Sequence, residues 1–90
     1  MNIAVKKYLI GKKIKPKYIG FTYLEKAIIL AMKQPSLSLQ DLFSLSCSIP
    51  WESAYHSAHY ALKKTNPNIS VADFIHTAAS EIEIGGNYGI

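Results

Sequence analysis

The stretch SLQDLFSLSCSIPWESAYHSAHYALKK, residues 38–64, reads as a short helix, a tight break and a longer helix. Ser38 is a helix-capping residue type, and Asp41 three positions on makes a variant of the capping box. Leu39, Leu42, Phe43 and Cys47 then form a buried stripe at helical spacing. Ser46-Cys47-Ser48-Ile49 is the break, and Pro50 suits the first turn of a new helix, where a missing N–H leaves nothing unsatisfied. From there to about Lys64, Ala54, Ala58, Ala61 and Leu62 share one face, while Lys63 and Lys64 favour the C-terminal end of the helix dipole. Two helices joined by so short a turn need small residues where they cross. Ser44 and Ser48 are expected at that crossing, with Phe43, Cys47, Ile49 and Ala54 filling the wedge. This is the pattern of a helix-turn-helix, and by spacing alone equally that of an ordinary helical hairpin.

Working outward, Leu24, Ala27, Ile28, Ala31 and Met32 give helical periodicity from Phe21 to about Gln34, and Gln34-Pro35-Ser36 closes that helix. Upstream, residues 12–17 hold four lysines and Pro16, which disfavour a helix interior and predict a basic loop. Before that loop, Asn2 can cap a helix over Ile3 to Ile10 that Gly11 would end in a left-handed conformation. Downstream, Thr65-Asn66-Pro67-Asn68 is a turn. Ser70 and Asp73 start a final helix whose apolar face is Val71, Phe74, Ile75, Ala78, Ala79 and Ile82. Gly85-Gly86 is expected to end it and leave residues 85–90 as a flexible tail. No segment alternates with a period of two. The expectation is an all-α domain over residues 1–84, a small bundle of about five helices containing a helix-turn-helix.

Ninety residues suit one domain, and oligomerisation would add to the modest core of so short a chain, so a homodimer is expected among its assemblies. An apolar fraction of 49% is too high for a disordered chain. Runs such as Ile28-Ile29-Leu30-Ala31-Met32 fall far short of the roughly 20 residues of a membrane span. Lysines break every hydrophobic stretch before Tyr18, so no secretory-signal pattern is present. The single cysteine, Cys47, excludes an internal disulfide. A cytoplasmic protein without a membrane partner is expected.

Charge is unevenly distributed. Residues 1–34 carry eight lysines against Glu25 alone, a net of +7, whereas residues 35–90 carry a net of −3. A basic third of this kind suits an anionic partner, nucleic acid above all, although it also suits a merely solvated surface. In a helix-turn-helix the outward face of the second helix meets the major groove of double-stranded DNA. Here that face would offer Glu52, Ser53, Tyr55, His56 and His59 to base edges, with Trp51 at the rim. Lys12, Lys13, Lys15, Lys17, Tyr60 and Lys63 would contact phosphates, which orient a protein without reading sequence.

Catalysis is not expected. Cys47 lies in the predicted core, where a thiol is usually inert. His56 and His59 stand three apart, but a zinc site takes three or four protein ligands and no further pair matches. His76 reads as a rim or core residue of the last helix. No phosphate-binding glycine loop, paired-carboxylate site or Ser-His-Asp arrangement stands out, and no cofactor, metal or small-molecule substrate is implied.

Two further stretches carry a resemblance. Gly20-Phe21-Thr22-Tyr23-Leu24-Glu25-Lys26-Ala27-Ile28 is similar to a Gly-aromatic-x-Tyr-Leu-x-x-Ala-Ile signature, and Asn68-Ile69-Ser70-Val71-Ala72-Asp73-Phe74-Ile75 to a final helix opening on Ser-(Asp/Glu)-Phe-Ile. In this combination the chain resembles the C-terminal effector domain of the stage-zero sporulation response regulator of spore-forming bacteria, over most of residues 3–83. The resemblance implies an all-helical transcription-factor module that binds duplex DNA as tandem or paired copies, with Ile49 to Leu62 in the place of the recognition helix. There are departures. That family's recognition helix carries several arginines, where this chain has Ser53, Tyr55, His56 and His59, and the whole chain contains no arginine. The bidentate arginine–guanine contact is therefore missing, and a different sequence preference is implied. The segment Thr65 to Ile69 is shorter than its counterpart, and these 90 residues include no receiver domain.

The competing expectation is a protein-interaction module. Trp51, Tyr55, Tyr60 and two histidines make the predicted outer face aromatic, as protein interfaces often are. Such a module would dimerise or dock onto a larger regulator without touching DNA.

Overall fold

Each apolar stripe in the sequence becomes one helix: α1 (Ile3–Gly11), α2 (Ile19–Lys33), α3 (Leu39–Ser46), α4 (Trp51–Lys63) and α5 (Val71–Tyr88). The computed structural model describes the backbone of residues 3–88 and the side chains of residues 3–83. Among the described residues there is no strand, and no helix is long and apolar enough to cross a membrane. The chain is all-α.

Helix α2 is the centre of the bundle and touches the other four helices. Its buried residues, Gly20, Phe21, Leu24, Glu25, Ala27, Ile28 and Ala31, form a stripe wide enough to serve neighbours on both sides. Leu9 of α1, Leu42 and Phe43 of α3, Leu62 of α4 and Ile75 of α5 close on that stripe, each fully or almost fully buried. The caps at Ser38 and Ser70 form as the sequence predicts. The Ser38 hydroxyl accepts from the Asp41 N–H at 3.2 Å and the Ser70 hydroxyl from the Asp73 N–H at 3.1 Å. Each satisfies one of the orphan donors at a helix start.

Two polar ties hold α1 in place. Lys6 donates to Glu25 at 3.0 Å, and Glu25 is buried midway along α2. The Tyr8 hydroxyl donates to Glu81 of α5 at 2.6 Å, while its ring tilts against Phe74 with centroids 6.1 Å apart. Burial, then the bond to Glu81 and its charge, push the Tyr8 phenol well above its ordinary range.

Several expectations are corrected. Gly11 does not take the left-handed position that ends α1; Lys13 does, with φ 67°. Ile14 N–H reaches the Leu9 carbonyl and Lys13 N–H the Ile10 carbonyl, the paired bonds of a Schellman motif. The motif brings Ile14 down beside Leu9, and both are buried, so packing of Ile14 selects the turn two residues beyond the glycine. The expected cap at Asn2 lies outside the described residues. Gly85-Gly86 does not stop α5, which continues through both glycines to Tyr88. Extending an existing helix adds a hydrogen bond per residue, whereas starting one does not, so two glycines at about 1 kcal/mol each are tolerated. Pro50 is the N-cap of α4 rather than its first helical residue, with its carbonyl accepting from Ser53 and Ala54. Ser44 and Ser48 are exposed and take no part in a helix crossing.

The close crossing lies elsewhere, between α2 and α4. A Cβ on Gly20 would stand 2.0 Å from the Ser57 carbonyl oxygen and 2.9 Å from the Ala61 Cβ. Backbone therefore meets backbone at Gly20, and only hydrogen fits. Gly20→Ala should lower unfolding free energy by about 1–3 kcal/mol or more in urea titration, the range for overpacking. Gly11→Ala, with nothing within 4 Å of the added carbon, should be neutral or stabilising. Equal effects would mean that the crossing is looser than described.

A second test concerns pH. The folded state holds the Tyr8 proton more tightly than the unfolded chain. That contribution is complete below the ordinary tyrosine value of about 10 and is lost as pH rises toward the folded value. Urea midpoints measured from about pH 8 to about pH 11 should fall less steeply for Tyr8→Phe than for the wild type. Parallel falls would exclude this bond as a contributor.

Candidate nucleic-acid interface

Because Ala54, Ala58, Ala61 and Leu62 are buried, the opposite side of α4 is open. Glu52, Ser53, His56, His59 and Tyr60 are exposed there. Trp51 and Tyr55 are only half-buried and pack against the core. Tyr55 stands edge-on to Phe43 at 6.4 Å and touches Trp51, His56 and His59 through its ring. Its place is thus between core and surface, steadying both histidines rather than projecting freely. Trp51 belongs to the same rim.

The basic loop reaches α4 through Tyr18. Its ring meets Tyr60 in a T-shaped contact at 5.6 Å, and the Lys64 ammonium lies over Tyr60 at 4.7 Å. A cavity of about 200 Å³ beside this contact is lined by Lys13, Lys15, Tyr18, Ala61, Lys64 and Thr65. A shallower one of about 340 Å³ continues along α4, between Tyr18, Ile19, Gly20, His56, Ser57 and Tyr60. Three lysines therefore line one cavity at the C-terminal end of α4. The loop is held there by Asn66 and Thr65, whose side chains donate to the Lys12 carbonyl at 3.0 and 3.3 Å. Buried Ile14 anchors it from beneath. Tyr60, first through a hydrogen bond and then through its charge, raises the Lys64 ammonium above its ordinary value.

The six expected phosphate-contacting residues separate into groups. Lys13, Lys15 and Tyr60 come together. Lys17 is adjacent, with its ammonium over the Tyr18 ring at 5.6 Å. The Lys12 ammonium instead lies over Tyr8 at 5.4 Å, toward α1 and α5. Lys63 is engaged within the fold, where it donates to the Pro67 carbonyl at 3.2 Å and to the Ile69 carbonyl. It braces the α4–α5 turn and leaves its neighbour Lys64 as the open cation. Lys64 and Tyr18 were missed by the sequence reading. The signal for Lys64 was its i, i+4 spacing from Tyr60, which places the two side chains on one face.

His56 and His59 stay exposed near Tyr55, and among the described residues no three His, Cys, Asp or Glu side chains are grouped to hold a metal ion. His76 is exposed on α5 and lines a separate depression with Met32, Pro35 and Glu83. Cys47 is buried with its sulfur 3.5 Å from the Ser46 hydroxyl. No protein-family model, characterised protein or solved structure matches the chain.

The two adjacent lysines at the end of α4 should behave oppositely in a stability assay. Lys63→Ala removes the donor to two carbonyls and should cost about 1 kcal/mol in urea unfolding. Lys64→Ala should leave the midpoint unchanged. A reversed pair of effects would contradict these assignments.

Proposed function

We propose that the protein is a regulator of transcription that binds double-stranded DNA. In this reading α3 and α4 act as a helix-turn-helix, α4 enters the major groove, and the lysines around Tyr18 grip the adjoining phosphate backbone. The observation that carries it is the junction of the open Ser53/His56/His59 face of α4 with the cluster of Lys13, Lys15 and Lys64. Phosphate contacts set register and base-edge contacts set sequence preference, so a reader needs both surfaces side by side.

The backbone at Lys13 supports the reading. A left-handed conformation costs a non-glycine residue about 1–2 kcal/mol, yet a lysine occupies it here. Retaining an ammonium at a position that favours glycine makes sense where the charge has a partner. The resemblance to the sporulation effector domain points the same way. Without arginine, base reading would fall to Ser53, His56 and His59, with Glu52 able to accept from a cytosine amino group. A paired copy, binding half-sites about 34 Å apart, would supply the affinity that one small module lacks.

Fluorescence anisotropy with mixed-sequence duplex at several salt concentrations tests this directly. Affinity should fall steeply with salt, and Lys15→Ala and Lys64→Ala should each reduce the log–log slope by about 0.9. Lys13→Gly should raise stability by about 1 kcal/mol while weakening DNA binding, a combination that simple loss of folding cannot give. Absence of binding at low salt would overturn the proposal.

A further inference from the structure

Outside the α4 face, the most exposed large apolar side chain among the core-forming segments is Leu45 of α3, at 66%. It borders an open groove of about 260 Å³ between α2 and α3, lined by Lys26, Ile29, Leu30, Lys33, Leu45 and Ser46. Ile29 and Leu30 rest partly on the core and form an apolar floor. Lys26 and Lys33 are exposed, seven residues apart on α2, and so lie two turns apart on one side of that helix. No acidic side chain lines the groove, and no ion pair is formed by either lysine among the described residues.

We infer that this groove is a docking site for an acidic amphipathic helix of another protein. The shape is too open, and its volume too small against the roughly 300–1,000 Å³ of ordinary ligand pockets, for a small molecule. An apolar floor suits the hydrophobic ridge of a helix laid in a groove. The two ammonium groups select a partner with carboxylates flanking that ridge and reject one with lysines there.

Helix α5 of a second copy of this chain is the poorer occupant. Its acidic side chains on α5, Glu81 and Glu83, stand among exposed residues that are all polar: Asp73, His76, Thr77 and Ser80. They offer no apolar ridge among the described residues. The groove also shares no lining residue with the cavities along α4 and beside the basic loop, so the two proposed surfaces can be tested separately.

The test is nuclear magnetic resonance titration of the full, isotope-labelled chain with a synthetic helical peptide. The peptide carries leucines at i, i+3 and i+4 with glutamates on both flanks; a matched peptide carries lysines instead. Saturable shifts at Lys26, Ile29, Leu30, Lys33, Leu45 and Ser46 are expected with the glutamate peptide and not with the lysine one. Leu45→Ser should weaken binding about tenfold, the order expected when a hydrophobic anchor is lost. The exposed-surface double variant Lys26→Glu/Lys33→Glu should reverse the preference to the lysine peptide, which unfolding would not do. Equal binding of both peptides, shifts confined to other residues, or no saturation at millimolar peptide would overturn the inference. So would duplex DNA shifting the same amides, or concentration-dependent self-association that Leu45→Ser abolishes. None of the peptide outcomes depends on whether α4 binds DNA.

Discussion

The contact between Gly20 and the Ser57 carbonyl governs the rest of the molecule. With only hydrogen at Gly20, α2 and α4 approach to backbone distance, and Ala58, Ala61 and Leu62 are drawn fully into the core. The opposite side of the same α4 turns, at His56, His59 and Tyr60, is left open as a consequence. The approach also fixes the start of α2 against the middle of α4. Tyr18, two residues before Gly20, is thereby carried onto Tyr60, and the lysines that precede it are carried to the end of α4. One missing side chain thus sets both the shape of the candidate surface and its charge.

Helices announced themselves in the sequence because their signals are local. Apolar spacing in α2, α4 and α5, and the serine caps at Ser38 and Ser70, follow from neighbours within a turn or two. The misses share the opposite cause. Gly11 looked like a helix stop, but burial of Ile14 beside Leu9 moved the left-handed residue to Lys13. Ser44 and Ser48 looked like crossing residues because they were small and close to the turn, yet the crossing that matters joins segments 37 residues apart, Gly20 and Ser57. Lys63 and Lys64 cannot be told apart by composition; only the position of the Pro67 and Ile69 carbonyls decides which one is held. On the candidate surface, the exposed residues of α4 were legible from periodicity, whereas the inward lean of Tyr55 depended on Phe43 in another helix, and Trp51 packs on Tyr55 in turn.

The lysine-rich N-terminal third is not one basic patch. Lys6 is paired with buried Glu25, and the Lys12 ammonium lies over Tyr8, so neither adds to the charge beside α4. Lys13 and Lys15 gather with Lys64, and Lys17 stands close by on Tyr18. Lys26 and Lys33 flank an apolar groove on a different surface. Net charge therefore overstates what any one partner would meet, and the fold divides it between two surfaces of unlike chemistry. One joins cations to hydrogen-bonding side chains, which suits a phosphate backbone beside base edges; the other joins cations to exposed aliphatic carbon, which suits an acidic helix.

The use of lysine alone bears on what such a surface can distinguish. An ammonium is a compact, flexible point charge, whereas guanidinium is a planar fork that matches guanine with two hydrogen bonds. Lysines around Tyr18 would therefore orient a duplex without recognising its sequence, and discrimination would rest on the short polar and imidazole side chains of α4. Such groups gain less per contact than a bidentate fork, with each good bidentate pair worth about 1–3 kcal/mol. Selectivity on one copy of this helix would then be modest, and a second reader or a bound partner would be needed to sharpen it. The groove between α2 and α3 shares no lining residue with the cavity along α4, so in this reading such a partner and a duplex would contact different residues.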